Sequence, residues 1–70
     1  MNGKLQLFEY AVIFHPTEKE EKKGKKSEVV IDVKRKLAVT QHVATMQIIK
    51  EIPKEYDDKL EQLEIAIRPF

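Results

Sequence analysis

Apolar side chains recur at every second position in three stretches of this chain and at helical spacing in a fourth. Over residues 5–15, Phe8, Tyr10, Val12 and Phe14 fall on one side of an extended backbone, and Leu7, Glu9, Ala11, Ile13 and His15 on the other. Both sides carry apolar groups, which suits a central strand better than an edge. Pro16 closes the stretch, and residues 18–28, EKEEKKGKKSE, contain no apolar side chain. Between two alternating stretches such a run reads as a solvated hairpin loop over 16–27, with Gly24 supplying the turn. A second strand over 28–39 places Val29, Ile31, Val33, Leu37 and Val39 on one side and Val30, Asp32, Lys34 and Lys36 on the other. Arg35 interrupts the apolar row, which points to a bulge or a frayed region near it.

Thr40 is the expected N-cap of a helix over 41–52. Its Ala44, Met46, Ile48, Ile49 and Ile52 share a broad arc, with Gln47, Lys50 and Glu51 opposite. Pro53 disfavours helical geometry at Ile52 and opens a short helical turn in PKEYDDKL. The final stretch, LEIAIRPF, turns Leu63, Ile65 and Ile67 one way and Glu64, Ala66 and Arg68 the other. Strand, strand, helix and strand, joined by a right-handed crossover, make an α+β domain of ββαβ type. Its three-stranded antiparallel sheet is expected in the order 2-1-3, with one helix on one face and a short helical turn before the last strand. Under the helix belong Phe8, Tyr10, Val12 and Phe14, with Val29, Ile31, Val33, Leu63, Ile65 and Ile67, because those rows carry no charge. The bare face is expected to show Leu7, Ala11, Ile13, Val30 and Ala66, ringed by Glu9, Asp32, Lys34, Glu64 and Arg68.

Length and charge narrow this picture without changing it. Seventy residues make a single domain, 1–70, with a thin core. Thirteen basic and twelve acidic residues leave a net charge of +1, too little to draw a polyanion from a distance. The absence of cysteine removes disulfides and thiolate chemistry and fits a reducing compartment, so the cytoplasm is the expected location. Glu9 and Tyr10 cut short the apolar run near the N-terminus, which argues against a signal peptide or membrane span.

Among candidate chemistries, KKGKK concentrates Lys22, Lys23, Lys25 and Lys26, which are possible phosphate contacts for nonspecific nucleic-acid binding. No aromatic or base-reading side chain is mixed with them, so a solvated loop explains them better. His15 and His42 lack a third convergent ligand, and Glu55, Asp57, Asp58 and Glu61 match no calcium loop. Tyr56 and Leu60, four apart, are expected to pack together against the sheet. No phosphate loop, nucleophile elbow or triad spacing occurs, and neither catalysis, metal nor cofactor is expected. An apolar patch rimmed by charge is the better functional signal. The patch holds Leu7, Ala11, Ile13, Val30 and Ala66; its anchors are Leu7, Ile13, Val30 and Ala66, and its orienting charges Glu9, Lys34 and Arg68.

FEYAVIFHP near the start and IPKEYDDKLEQLEIAIRPF at the end resemble a group of small tailed-bacteriophage proteins of similar length. The shared features are the E-Y-A-V strand, the I-P-x-E-Y-x-D-K-L turn and the terminal R-P-F. The chain departs from that pattern at Thr40-Gln41-His42, where a more acidic helix start is expected. The resemblance implies a phage protein made in the cytoplasm of a bacterial host, and it assigns no functional residue. The expected function is a noncatalytic interaction module that binds a host or viral protein through the open sheet face or an edge strand. A virion accessory component and a nucleic-acid binder through the lysine-rich loop are the alternatives, and self-association of the chain is a further expected partnership. No membrane partner is expected.

Overall fold

The computed structural model describes residues 4–70. Strand β1 (Gln6–Phe14) leads through a short helix, α1 (Glu18–Lys22), into β2 (Glu28–Ala38). Helix α2 (Gln41–Glu51) follows, then 3₁₀ turns at Lys54–Tyr56 and Leu60–Gln62, then β3 (Leu63–Pro69). The sheet order is β2-β1-β3 and both pairings are antiparallel, as the two-sided apolar pattern of β1 required. The molecule is elongated, 50 × 21 × 15 Å.

Local chemistry sets the ends of α2. The Thr40 hydroxyl accepts from the Val43 amide at 3.1 Å, satisfying one of the free donors of the first turn. Ile52 is already extended, at φ −67° and ψ 130°, as the residue before Pro53 must be. Ala44 and Ile48 of α2, with Ile52 just past its end, pack onto Phe8, Tyr10 and Val12 of β1, with Ile31 and Ala38 from β2. Tyr56 closes the far end against Phe14, ring centroids 5.7 Å apart and tilted by 50°. Burying each large side chain in this row contributes about 1.5–3 kcal/mol.

The face assignment of β2 differs from the sequence expectation. Between the pairs Tyr10–Lys34 and Val12–Ile31, β1 advances two residues and β2 three; between Val12–Ile31 and Ile13–Val29, β1 advances one and β2 two. Each extra residue reverses which side chains face the helix. Ile31 is therefore buried at 8 % exposure, while Val29 and Val33 are turned out at 64 % and 62 %. Past the bulges Lys34 and Lys36 stand opposite Tyr10 and Phe8 on the helix side, and Arg35 pairs in regular register with Glu9. The irregularity thus lies at Val30 and Asp32–Val33, where the Asp32 carboxylate accepts from the Val33 amide at 2.8 Å, and not at Arg35.

Two further expectations are revised. The outer side of α2 is not uniformly polar: Met46 and Ile49 are exposed, whereas Glu51 turns back to the sheet, where it accepts from the Tyr10 hydroxyl and pairs with Lys36. The charged segment is also more ordered than a bare loop. Thr17 and Glu20 form a reciprocal capping box that opens α1. Gly24, at φ +94°, ends it in the left-handed region as the amides of Lys23, Gly24 and Lys25 fold back onto the Glu20 and Glu21 carbonyls. Gln62 holds this cap to the sheet through Glu20 and the His15 carbonyl, at 2.8 and 3.1 Å.

Candidate protein-interaction face

The sheet face opposite α2 is built by three rows. β1 presents Leu7, Glu9, Ala11 and Ile13; β3 presents Glu64, Ala66 and Arg68 beside them. From β2, Leu37 and Arg35 pair with Leu7 and Glu9, and Val29 with Ile13. Val33 reaches the same face at the bulge, next to Ala11. Ala11 and Ala66 oppose each other, and their short side chains leave a shallow depression of about 350 Å³ between Val33, Glu9 and Arg68.

Of the residues expected here, Leu7, Glu9, Ala11, Ile13, Ala66 and Arg68 come together. Val30 and Lys34 do not. Val30 sits at a bulge and packs against the core cluster of Tyr10 and Val12, and Lys34 stands opposite Tyr10 on the helix side. Their places are taken by Val29, Val33, Arg35 and Leu37, which a simple alternation had placed inward or left unassigned. Leu37 is 56 % exposed and Phe70, just past β3, 64 %.

Charge on this face is organised across the strands. Arg68 donates to Oε1 of Glu9 from Nε at 3.0 Å and from Nη2 at 2.6 Å. Arg35, cross-strand from Glu9 on the other side, lies over the Phe70 ring, its guanidinium carbon 3.8 Å from the centroid. The row Arg35–Glu9–Arg68 thus alternates in sign. Pairs this exposed contribute about 0–1 kcal/mol each to stability.

The other candidates serve different ends. Lys22 lies in α1, Lys23 caps it, and Lys25 and Lys26 follow Gly24, all exposed at the hairpin tip among Glu18, Glu20 and Glu21. Glu20 is held below the usual carboxylate range, chiefly by the Thr17 amide and then by Gln62. His15 bonds Ser27 Oγ through Nδ1 at 3.0 Å and Glu64 Oε1 through Nε2 at 2.7 Å. Serine, histidine and carboxylate recur in hydrolases, where they stand beside oxyanion donors in a site shielded from water. Here the side chains of His15 and Glu64 are about half exposed, and the three residues tie the ends of β1 and β3 to the hairpin arm. Among the described residues no group of three His, Cys, Asp or Glu is placed to hold a metal ion, and no helix is long and apolar enough to cross a membrane.

On the helix side, the Tyr10 hydroxyl donates to Oε1 of Glu51 at 2.7 Å and Lys36 meets its Oε2. Burial, reinforced by Glu51, pushes the Tyr10 phenol up to about 12, while Lys36 and Tyr10 hold Glu51 below its ordinary value. Leu60 does not stack with Tyr56 in the core. It is half-exposed and lines an apolar cleft of about 120 Å³ with Ile49, Ile52, Leu63 and Ile65, beside the outer edge of β3. Comparison with protein-family models, characterised proteins and solved structures finds no significant match.

Proposed function

We propose that the protein is a noncatalytic interaction module that captures a host or viral protein on its open sheet face. The observation that carries this reading is the strip of turned-out apolar side chains, Val29, Val33 and Leu37 of β2, beside Leu7 and Ile13 of β1. Apolar side chains exposed on either side of a charged row, here Arg35–Glu9–Arg68, are what transient interfaces present. The hollow over Ala11 and Ala66 offers a seat for one partner side chain, with Glu9 and Arg68 beside it to orient the approach. The resemblance of the first and last strands to small tailed-phage proteins supports a phage origin and a partner met in the bacterial cytoplasm.

Val33→Asp tests the reading, because Val33 is 62 % exposed and its replacement leaves the core intact. Loss of one apolar anchor and burial of a charge should weaken capture at least tenfold, from about 1.5–3 kcal/mol of apolar contact alone. Wild-type and variant chains would be immobilised and the proteins recovered from host extract compared, with Lys50→Glu on the outer side of α2 as control. Recovery of the same partner in equal amount by Val33→Asp, with its circular dichroism unchanged, would rule this face out.

A further inference from the structure

We propose that the free edge of β3 pairs antiparallel with the same edge of a second copy, joining two molecules through one continuous six-stranded sheet. Among the described residues β3 has a single strand neighbour, β1. Two bonds fix which of its backbone groups that neighbour uses: the His15 amide to the Gln62 carbonyl and the Phe70 amide to the Leu7 carbonyl, both 2.8 Å. The register between them is unbroken. Alternation then turns the amides and carbonyls of Glu64, Ala66 and Arg68 toward β1 and those of Ile65 and Ile67 outward. At one end the Leu63 amide already donates to Leu60, and at the other Pro69 has no amide to give. What remains is a short edge, two outward residues with both donor and acceptor, whose natural complement is another extended backbone.

The edge is complementary to itself in one register. Placing Ile65 opposite the partner's Ile67, and Ile67 opposite the partner's Ile65, satisfies the amides and carbonyls of both residues on each side with four inter-chain hydrogen bonds. The two-fold axis then passes through Ala66, small enough to face its own copy. Glu64 falls opposite the partner's Arg68, and Arg68 opposite the partner's Glu64. Both side chains have reach left: Glu64 engages His15 through Oε1, and Arg68 engages Glu9 through Nε and Nη2. The new pairs extend the alternating row Arg35–Glu9–Arg68 by one more negative charge. The other in-phase registers gain no ion pair: Ile65 opposite the partner's Ile65 sets Glu64 against an alanine, and Ile67 opposite the partner's Ile67 does the same to Arg68.

Packing favours this edge over that of β2. Two bulges and the lysines of β2 spoil its outer side as a template, whereas β3 has no register shift and no lysine. On the helix side, Ile65 lines the apolar cleft with Ile49 and Leu60, and the partner's Ile67, its cross-strand neighbour, closes that cleft. Edge contacts of this size bury under about 1,200 Å² in total, so association with a dissociation constant of roughly tens of micromolar is expected. The pairing uses the backbone edge of β3 and shares only the charges of Glu64 and Arg68 with the open face, so Val33 takes no part in it.

Sedimentation velocity of the purified protein from roughly 5 µM to 1 mM, combined with amide exchange, tests it. The expected result is a reversible monomer–dimer transition in which the Ile65 and Ile67 amides exchange more slowly as concentration rises. Glu64→Arg and Arg68→Glu should each weaken the dimer at least tenfold. Mixing the two variants should restore it, because a Glu64→Arg chain and an Arg68→Glu chain oppose unlike charges at both positions. A monomer throughout would overturn the proposal, as would a dimer whose Ile65 and Ile67 amides stay unprotected. Failure of the mixture to recover when both variants retain wild-type circular dichroism would do the same. Should either variant unfold, the concentration dependence of those two amides in the wild-type chain decides alone. Val33→Asp, which tests the open face, leaves this association unchanged.

Discussion

Tyr10→Phe isolates the polar contact that replaces apolar packing on the β2 side of the helix. The ring stays buried, at 3 % exposure, and only the hydroxyl that donates to Glu51 at 2.7 Å is lost. Glu51 keeps Lys36 on its other oxygen, and with its side chain 32 % exposed the freed oxygen reaches water. The cost is therefore that of one charge-assisted hydrogen bond with partial compensation, about 1–2 kcal/mol at pH 7. In a domain of this size that lowers the melting temperature by roughly 4–16 °C. The pH dependence gives a sharper test. A phenol whose folded pKa is raised favours the folded state fully below the ordinary value of 10, and that advantage is lost as pH climbs toward about 12. Over that window the wild-type chain loses about 2–3 kcal/mol that the phenylalanine chain cannot lose. Urea titrations followed by circular dichroism at pH 7, 9 and 11 should show wild type ahead at the first two and the gap closing at the third. Equal midpoints at pH 7, or parallel alkaline decline in the two chains, would refute the assignment of Tyr10 to Glu51.

The bulges in β2 make neighbouring aliphatic residues unequal: Ile31→Ala should cost about 2–4 kcal/mol and Val33→Ala under about 0.5, and equal costs in denaturant titrations would show the register to be wrong. Gly24→Ala should cost about 1 kcal/mol from backbone strain alone, since nothing lies within 4 Å of the added carbon at φ +94°; an unchanged melting temperature would show that the turn is not held in that conformation.

The order of elements, the central place of β1 and the burial of Phe8 and Phe14 were all legible, because an alternating strand with apolar groups on both sides has few places to go. Thr40 and Pro53 marked the ends of α2 for equally local reasons. What pattern could not supply was the register of β2. A run such as EVVIDVKRKL alternates acceptably in either phase, and two inserted residues move Val33 outward and Lys34 inward while leaving the composition untouched. The inward Lys36 is intelligible only once α2 is in place, since Glu51 and the Tyr10 ring then provide its partners. The capping box of α1 was visible as Thr17 followed by Glu20, and the density of charge around it masked the signal. The candidate face was thus found through β1 and β3, and β2 was misread where its backbone departs from period two.

The double bulge also explains why so small a chain carries its apolar surplus outside. In an unbroken register Val29 and Val33 would join Ile31 beneath the helix, and the outer side of β2 would be polar. Inserting two residues gives up that packing, replaces part of it with the Tyr10–Glu51–Lys36 contacts, and delivers Val33 and Leu37 to solvent beside Leu7 and the Ala11–Ala66 hollow. Stability alone gives no reason for such an exchange in a domain with a thin core. It becomes reasonable if the outward valines have something to bind. The same bulges roughen the β2 edge while β3 keeps a regular register, so one local irregularity sets both where apolar side chains reach solvent and which edge is regular.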